Sequence, residues 1–204
     1  MKPIIVDTGV SNTFSVEKVL RHLGYDYGVA GSYKDLENAS KIILPGVGSF
    51  KNTMASLVQL GFKDEIKELV SKYQVPVLGI CLGMQLLLQS GDEGGKSEGL
   101  GLIEGRVEKL PSGPETRIPH IGWNTISVRK HSEIFHSIPD ELDCYFVHSY
   151  HAVVNNNNII SETQFGTESF ASGIQNNLVF GLQFHPEKSS KKGIEMIKNF
   201  LEIG

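Results

Sequence analysis

The 204-residue sequence predicts an α/β fold in which a central, mostly parallel sheet is flanked by helices and continues into a mixed or antiparallel extension. Two observations lead there. In the first half, short apolar runs alternate with runs whose apolar residues recur at i, i+3, i+4 and i+7, the strand-then-helix pattern of a parallel sheet covered on both faces. After about residue 100 the helical period disappears, and strand-length segments follow one another between turn signals. A composition that is 40% hydrophobic over this length suits a single domain, residues 1–204, with one substantial core.

Taken in order, Ile4, Ile5 and Val6 form the first strand, and Val16, Val19, Leu20 and Leu23 share one face of a helix that Gly24 stops. Strands follow over Tyr25 to Ala30 and at Ile42, Ile43 and Leu44, separated by a polar stretch. Phe62, Ile66, Leu69, Val70 and Tyr73 return to the helical period, and Val75 to Leu78 supplies another buried strand. The strand-like segments of the second half are Ile103 to Val107, Thr125 to Val128, Tyr145 to Val147, Ile159 to Glu162, Phe170 to Ile174 and Val179 to Phe184. Asn155 to Asn158 reads as a turn, because asparagine tolerates left-handed geometry and competes for backbone hydrogen bonds. Ile194, Met196, Ile197, Phe200 and Leu201 mark a closing helix.

Composition excludes several classes of function. A net charge of −4 with interspersed signs, and only one short basic run near Lys188 to Lys192, leaves no electrostatic footprint for nucleic acid. No window approaches the roughly 20 apolar residues needed to cross a bilayer, and the N-terminus turns polar after one short apolar run. Neither a membrane nor a secretory route is expected, so the expected location is cytoplasmic. Cys81 and Cys144 are too few for a disulfide framework and suit a reducing compartment.

The chemistry centres on Gly79-Ile80-Cys81-Leu82-Gly83, which lies between the Val75 to Leu78 strand and the apolar run Met84 to Leu88. Glycine two residues either side of a nucleophile permits the strained strand-to-helix turn that lifts the side chain clear of a sheet. At the helix N-terminus the dipole would favour a thiolate. A lone cysteine is more often a small buried hydrophobe, so a base is required. His185 ends the apolar run Val179 to Phe184, at the strand edge where parallel-sheet enzymes place their sites. In an extended segment Glu187, two residues on, faces the same way and can orient the imidazole. Gly95-Lys96-Ser97 mimics the end of a phosphate-binding loop, but Ser90 stands where the first glycine is needed. His148 with His151, or His131 with His136, could pair on a face, yet no cysteine or carboxylate completes a metal set; neither a metal nor a cofactor is expected.

With the cysteine elbow and His185-Pro186-Glu187 in place, the chain resembles the class I glutamine amidotransferases, whose fold is flavodoxin-like. More narrowly it is similar to the glutaminase subunits of imidazole glycerol phosphate synthases. Leu44-Pro45-Gly46-Val47-Gly48-Ser49-Phe50, the elbow with Met84-Gln85-Leu86-Leu87, Pro119-His120-Ile121-Gly122-Trp123-Asn124, Phe146-Val147-His148-Ser149-Tyr150 and Gln183-Phe184-His185-Pro186-Glu187-Lys188-Ser189 carry the likeness, in order and over nearly the whole chain. It departs at Ser11-Asn12, where Gly-Asn is common, and at His151, where tyrosine often follows His-Ser-Tyr.

The resemblance implies glutamine hydrolysis by Cys81, His185 and Glu187, with ammonia passed to a separate cyclase subunit in a heterodimer of histidine biosynthesis. It implies an oxyanion hole made by backbone N–H groups of Leu82 and of the loop bearing Val47 and Gly48, with Gly46 and Gly48 making a peptide flip cheap. Gln85, Glu93, Ser149 and Tyr150 are implied as glutamine contacts, Glu93 meeting the α-ammonium. His120, Trp123, Asn124, Tyr145 and Lys188 are implied to face the cyclase around the ammonia passage. Three competing readings remain: a paralogous subunit serving surface-polysaccharide sugar modification, a thiol hydrolase of another kind, and an inactive adaptor.

Overall fold

The computed structural model describes residues 1–9, 11–113 and 116–204. Along the first half run β1 (Lys2–Val6), α1 (Thr13–His22), β2 (Gly28–Ala30), β3 (Ala39–Gly46), α2 (Phe50–Gln59), α3 (Phe62–Tyr73), β4 (Val77–Cys81) and the short α4 (Leu82–Leu86). The second half adds β5 (Ser90–Gly91), β6 (Ser97–Glu98), β7 (Gly105–Lys109), β8 (His120–Val128), β9 (Glu141–His148), β10 (Tyr150–Val154), β11 (Ile159–Phe165), β12 (Glu168–Asn176), β13 (Val179–Leu182) and the C-terminal α5 (Ser190–Glu202).

All of these strands belong to one mixed sheet, with the order β2-β1-β3-β4-β13-β12-β10-β7-β5-β6. Strands β2, β1, β3, β4 and β13 are mutually parallel, whereas β12, β10 and β7 continue the sheet antiparallel. A branch leaves through β11, which pairs with β12 and β8, and ends on β9. Alternate residues of the parallel strands feed two cores. Ile4, Val6, Leu44 and Val77 pack on the side of α2 and α3, while Ile5, Ile43, Leu78 and Phe180 pack with α1 and α5.

This topology decides what meets at the catalytic end. Because β4 lies between β3 and β13, with Gly46 opposite Cys81 and Leu182 opposite Ile80, the ends of three parallel strands distant in sequence come together. The chain then reverses at Cys81, whose φ of 55° and ψ of −110° are rare for a residue with a side chain. The turn needs close backbone approach. A Cβ at Gly83 would lie 1.7 Å from the Leu44 carbonyl oxygen, and one at Gly79 would lie 2.6 Å from the Gly83 carbonyl. The two glycines of the elbow are thus required by contact as well as by conformation.

Several elements differ from expectation. The strand expected over Tyr25 to Ala30 starts only at Gly28, since the Tyr25 N–H closes α1 by donating to the Leu20 carbonyl at 3.0 Å. Helix α2 is not among the expected elements, although its buried Phe50, Thr53, Met54 and Leu57 keep the i, i+3, i+4, i+7 spacing. A threonine at one of the four positions masks that period. The Ser90 to Ser97 segment, which carries Glu93, forms the β5–β6 hairpin, with β5 parallel to β7.

Gly83→Ala should cost about 3 kcal/mol, because backbone on both sides of the new methyl must move. Gly48→Ala meets nothing within 4 Å and should cost only about 1–2 kcal/mol for its φ of 94°. Urea denaturation of both variants checks this, and equal losses would show that close approach at Gly83 is not limiting.

Candidate active site

Where β3, β4 and β13 end, the structure forms a cleft of about 190 Å³. Its lining includes Val47, Gly48, Cys81, Leu82, Gln85, Glu93, Ser149, Tyr150 and His185, so nine of the residues singled out from the sequence converge on one space. Cys81 and His185 are both buried, with only 7% and 5% of their surface exposed.

His185 is held from three sides. Its Nδ1 lies 2.7 Å from Oε1 of Glu187, to which it donates. The geometry differs from the extended segment expected: Pro186 opens a short 3₁₀ turn with His185 as its cap, and that turn brings the carboxylate back to the ring. The backbone is clamped as well. The His185 N–H donates to the Tyr145 carbonyl at 2.9 Å, and Ser189 Oγ donates to the His185 carbonyl at 2.6 Å while accepting from the Tyr145 N–H at 2.9 Å. Ser189, which carries no expected role, ties the histidine to β9; its only signal in the sequence is its place at the end of the Gln183 to Ser189 motif.

Nε2 of His185 has no hydrogen-bond partner among the described residues, which leaves it free to accept a proton. The Cys81 thiol donates to the Val147 carbonyl at 3.6 Å. Burial opposes charge on His185, but the neighbouring Cys81 sulfur and the Glu187 carboxylate outweigh it and raise its pKa to about 9. Cys144 is a contrast. Burial pushes its thiol up to about 12, and it lies wholly inside the second core.

Around the sulfur, the N–H of Leu82 opens α4 and so has no partner within the helix. Gly48 has φ of 94° with open space around it, the setting in which a peptide can rotate. Gly46 corrects the expectation attached to it. It is paired in the sheet, and a Cβ there would lie 2.7 Å from the Gly83 N, so it serves clearance rather than flipping.

The expected glutamine contacts are unequally available. Gln85 is buried, and its Nε2 donates to the Tyr150 carbonyl at 2.9 Å and to Gln183 Oε1 at 3.0 Å, leaving only its oxygen for a ligand. Glu93 Oε2 accepts from the Phe50 N–H at 2.8 Å and so caps α2, whose own cap residue Ser49 makes no side-chain bond. Burial raises the Glu93 pKa, partly offset by that bond. Gln183, wholly buried, places Nε2 3.8 Å from the Cys81 sulfur, a contact that no local sequence signal predicts.

Strand alternation divides the residues expected to face a partner. Trp123 pairs with Tyr145 across β8 and β9, their rings 6.1 Å apart, and Lys188 Nζ lies 5.8 Å from the Tyr145 ring centre. Trp123 is 57% exposed, and its neighbour Ile121 59%. His120 and Asn124 lie on the other face of the strand, where even spacing turns them. His120 is buried against Phe146 and Phe165, and Asn124 bonds to His120 and to the Gln164 carbonyl. Among the described residues no cluster of three or more metal-type ligands occurs, and no helix is long and apolar enough to cross a membrane.

Comparison with known proteins agrees with this geometry. The glutamine amidotransferase class-I family matches residues 4–203. The chain is 45% identical over 205 residues to the imidazole glycerol phosphate synthase subunit HisH of Moorella thermoacetica, covering 100% of this chain and 96% of that one. Against imidazole glycerol phosphate synthase subunit HisH 1 of Campylobacter jejuni strain RM1221 the identity is 41% over 199 residues, covering 98% of each. The fold is similar to that of PurLQS from Thermotoga maritima, with a TM-score of 0.78 at 20% identity, covering 98% of this chain and 97% of that one. The cysteine elbow, its histidine partner and these full-length matches together establish that the chain belongs to the class I glutamine amidotransferase family, among the HisH subunits of imidazole glycerol phosphate synthase.

Proposed function

We propose that the chain is the glutaminase subunit of an imidazole glycerol phosphate synthase of histidine biosynthesis, releasing ammonia from glutamine for a separate cyclase subunit. The observation that carries the chemistry is Cys81 on a positive-φ elbow, sharing one cleft with a buried His185 whose Nδ1 is held by Glu187. His185 Nε2 takes the thiol proton, and the sulfur attacks the carboxamide carbon of glutamine. N–H groups of Leu82 and of the Val47–Gly48 loop stabilise the oxyanion, the role in which one donor is worth on the order of 3 kcal/mol. The imidazolium returns its proton to the departing nitrogen, ammonia leaves, and a glutamyl thioester remains. Water activated by His185 then cleaves the thioester, giving glutamate and restoring the thiol.

In this reading the Gln85 oxygen, Glu93, and the Ser149–Tyr150 segment hold the glutamine. Trp123, Tyr145 and Lys188 form the face that meets the cyclase in a heterodimer, with no part for nucleic acid. A cytoplasmic location suits two free thiols. The sugar-modification paralogue, the unrelated thiol hydrolase and the inactive adaptor are not favoured, given the relatives' names and an intact Cys81-His185-Glu187 constellation.

Ammonia release from glutamine tests the assignment, measured for the free chain, the complex with a cyclase subunit, and that complex loaded with cyclase ligand. The free chain should be nearly silent and the loaded complex about a hundredfold faster, a change of roughly 2.7 kcal/mol. In the loaded complex Cys81→Ser and His185→Ala should each lose about a thousandfold or more, while Glu187→Gln loses less because its amide oxygen still accepts from Nδ1. Equal turnover in all three states would refute the switch, and a Glu187→Gln loss exceeding that of His185→Ala would refute the roles.

Stability should follow the His185 proton. With a pKa raised from 6.5 to about 9, the folded chain keeps a proton that the unfolded chain loses between these values. The contribution is therefore full below pH 6.5 and lost as pH rises through about 9. Urea midpoints should fall over that window and fall less in His185→Gln; an identical slope in the variant would show that this proton does not contribute.

A further inference from the structure

Asparagine and glutamine side chains are oriented by their neighbours, and here a chain of hydrogen bonds orients one of them against the reacting sulfur. The Tyr150 carbonyl can only accept. Gln85 Nε2 at 2.9 Å and His148 Nδ1 at 2.8 Å both point at it, so Gln85 presents its nitrogen and His148 its N–H. The remaining Gln85 N–H lies 3.0 Å from Gln183, which must therefore offer its oxygen. Nε2 of Gln183 is then the end that faces Cys81 Sγ, at 3.8 Å. The reverse orientation would set two N–H groups against each other and a carbonyl against the sulfur.

The far end of the chain agrees. Asn124 Nδ2 donates to the Gln164 carbonyl at 3.0 Å, and its Oδ1 accepts from the Thr125 N–H at 2.8 Å, so its nitrogen also faces His120 Nε2 at 3.2 Å. His120 must then donate through Nδ1 to His148 Nε2 at 3.0 Å, which requires both rings neutral. Burial supplies that state, lowering the His148 pKa to about 3 and the His120 pKa in the same direction. Gln183 has no exposed surface, and its backbone N–H is tied to the Ser172 carbonyl at 2.9 Å, so water cannot replace the amide beside the sulfur.

We propose that Gln183 is a further catalytic residue: its side-chain amide donates the hydrogen bond that stabilises Cys81 as a thiolate, and Gln85 and the Tyr150 carbonyl fix its orientation. When the thiol proton passes to His185 Nε2, the bond from sulfur to the Val147 carbonyl is lost and the carbonyl faces negative charge. The Gln183 N–H is the neutral donor that compensates on the buried side, and hydrogen bonds to charged acceptors are the stronger kind. The proposal rests on Cys81 being the nucleophile.

The test is the rate at which iodoacetamide alkylates Cys81, followed by peptide mass across roughly pH 5 to 10 in the full chain. Gln183→Met, which removes the donor, should raise the midpoint of the rate profile by about one pH unit. Gln183→Glu keeps the shape and the bond from Gln85, protecting the fold if methionine does not, and should raise the midpoint further by placing a carboxylate at the sulfur. In the unsubstituted chain the assigned Gln183 side-chain amide resonance should move with the same midpoint. An unchanged midpoint in the folded glutamate variant, or an amide resonance that ignores the titration, overturns the proposal. Alkylation that never reaches Cys81 overturns the nucleophile assignment together with it, a failure distinguishable by the site of the label.

Discussion

The approach of α4 to the sheet is the contact on which the site depends. Side chains at Gly46, Gly79, Gly83 or Gly181 would each drive a Cβ to less than 3 Å from Leu82, Gly83, Leu44 or Met84 atoms, so four glycines from three adjacent strands and one helix clear a single space. Only because that space exists can the helix begin immediately after β4 and leave Cys81 at its tip. A positive-φ residue costs about 1–2 kcal/mol, and here burial of Leu82, Met84 and Leu86 holds the turn against it. The same packing puts the Leu82 N–H and the Val47–Gly48 loop within one cleft with the sulfur.

Electrostatics then divides the histidines. His185 and His148 are nearly equally buried, at 5% and 6% exposed, yet one has its pKa raised to about 9 and the other lowered to about 3. Burial pushes both downward, so their partners decide the sign. His185 faces a carboxylate and a sulfur that gain from its charge. For His148, a single bond to the Tyr150 carbonyl cannot offset burial beside other imidazoles. One is equipped to move a proton and the other to hold a fixed direction of hydrogen bonding.

Much of this was legible in the sequence, because the elbow, the His-Pro-Glu segment and the alternation of apolar runs are local signals. Residues 79–83 carry their own reason for a strained turn, and short apolar runs locate most of the main strands to within a few residues, but not β10, which lies between β12 and β7 and buries only Ala152. Contacts that depend on distant pairing leave no local signal. Glu93 caps α2 from a hairpin more than forty residues away, and Gln183 reaches Cys81 only because β13 lies beside β4. Ser189 bridges β9 to His185 for the same reason. On β8 the motif groups His120, Trp123 and Asn124, whereas strand alternation puts Trp123 on the face opposite the other two, a division that the motif alone does not show.

The central claim, that the fold makes one of two buried cysteines the nucleophile, is most directly tested with an electrophilic analogue of glutamine, such as its chloroketone. Intact mass should show one equivalent bound, the modified peptide should contain Cys81, and excess glutamine should slow the labelling. Cys144, packed in the second core with its thiol pushed up to about 12, should stay unmodified. Label on Cys144, or label on Cys81 that glutamine does not slow, would contradict the account.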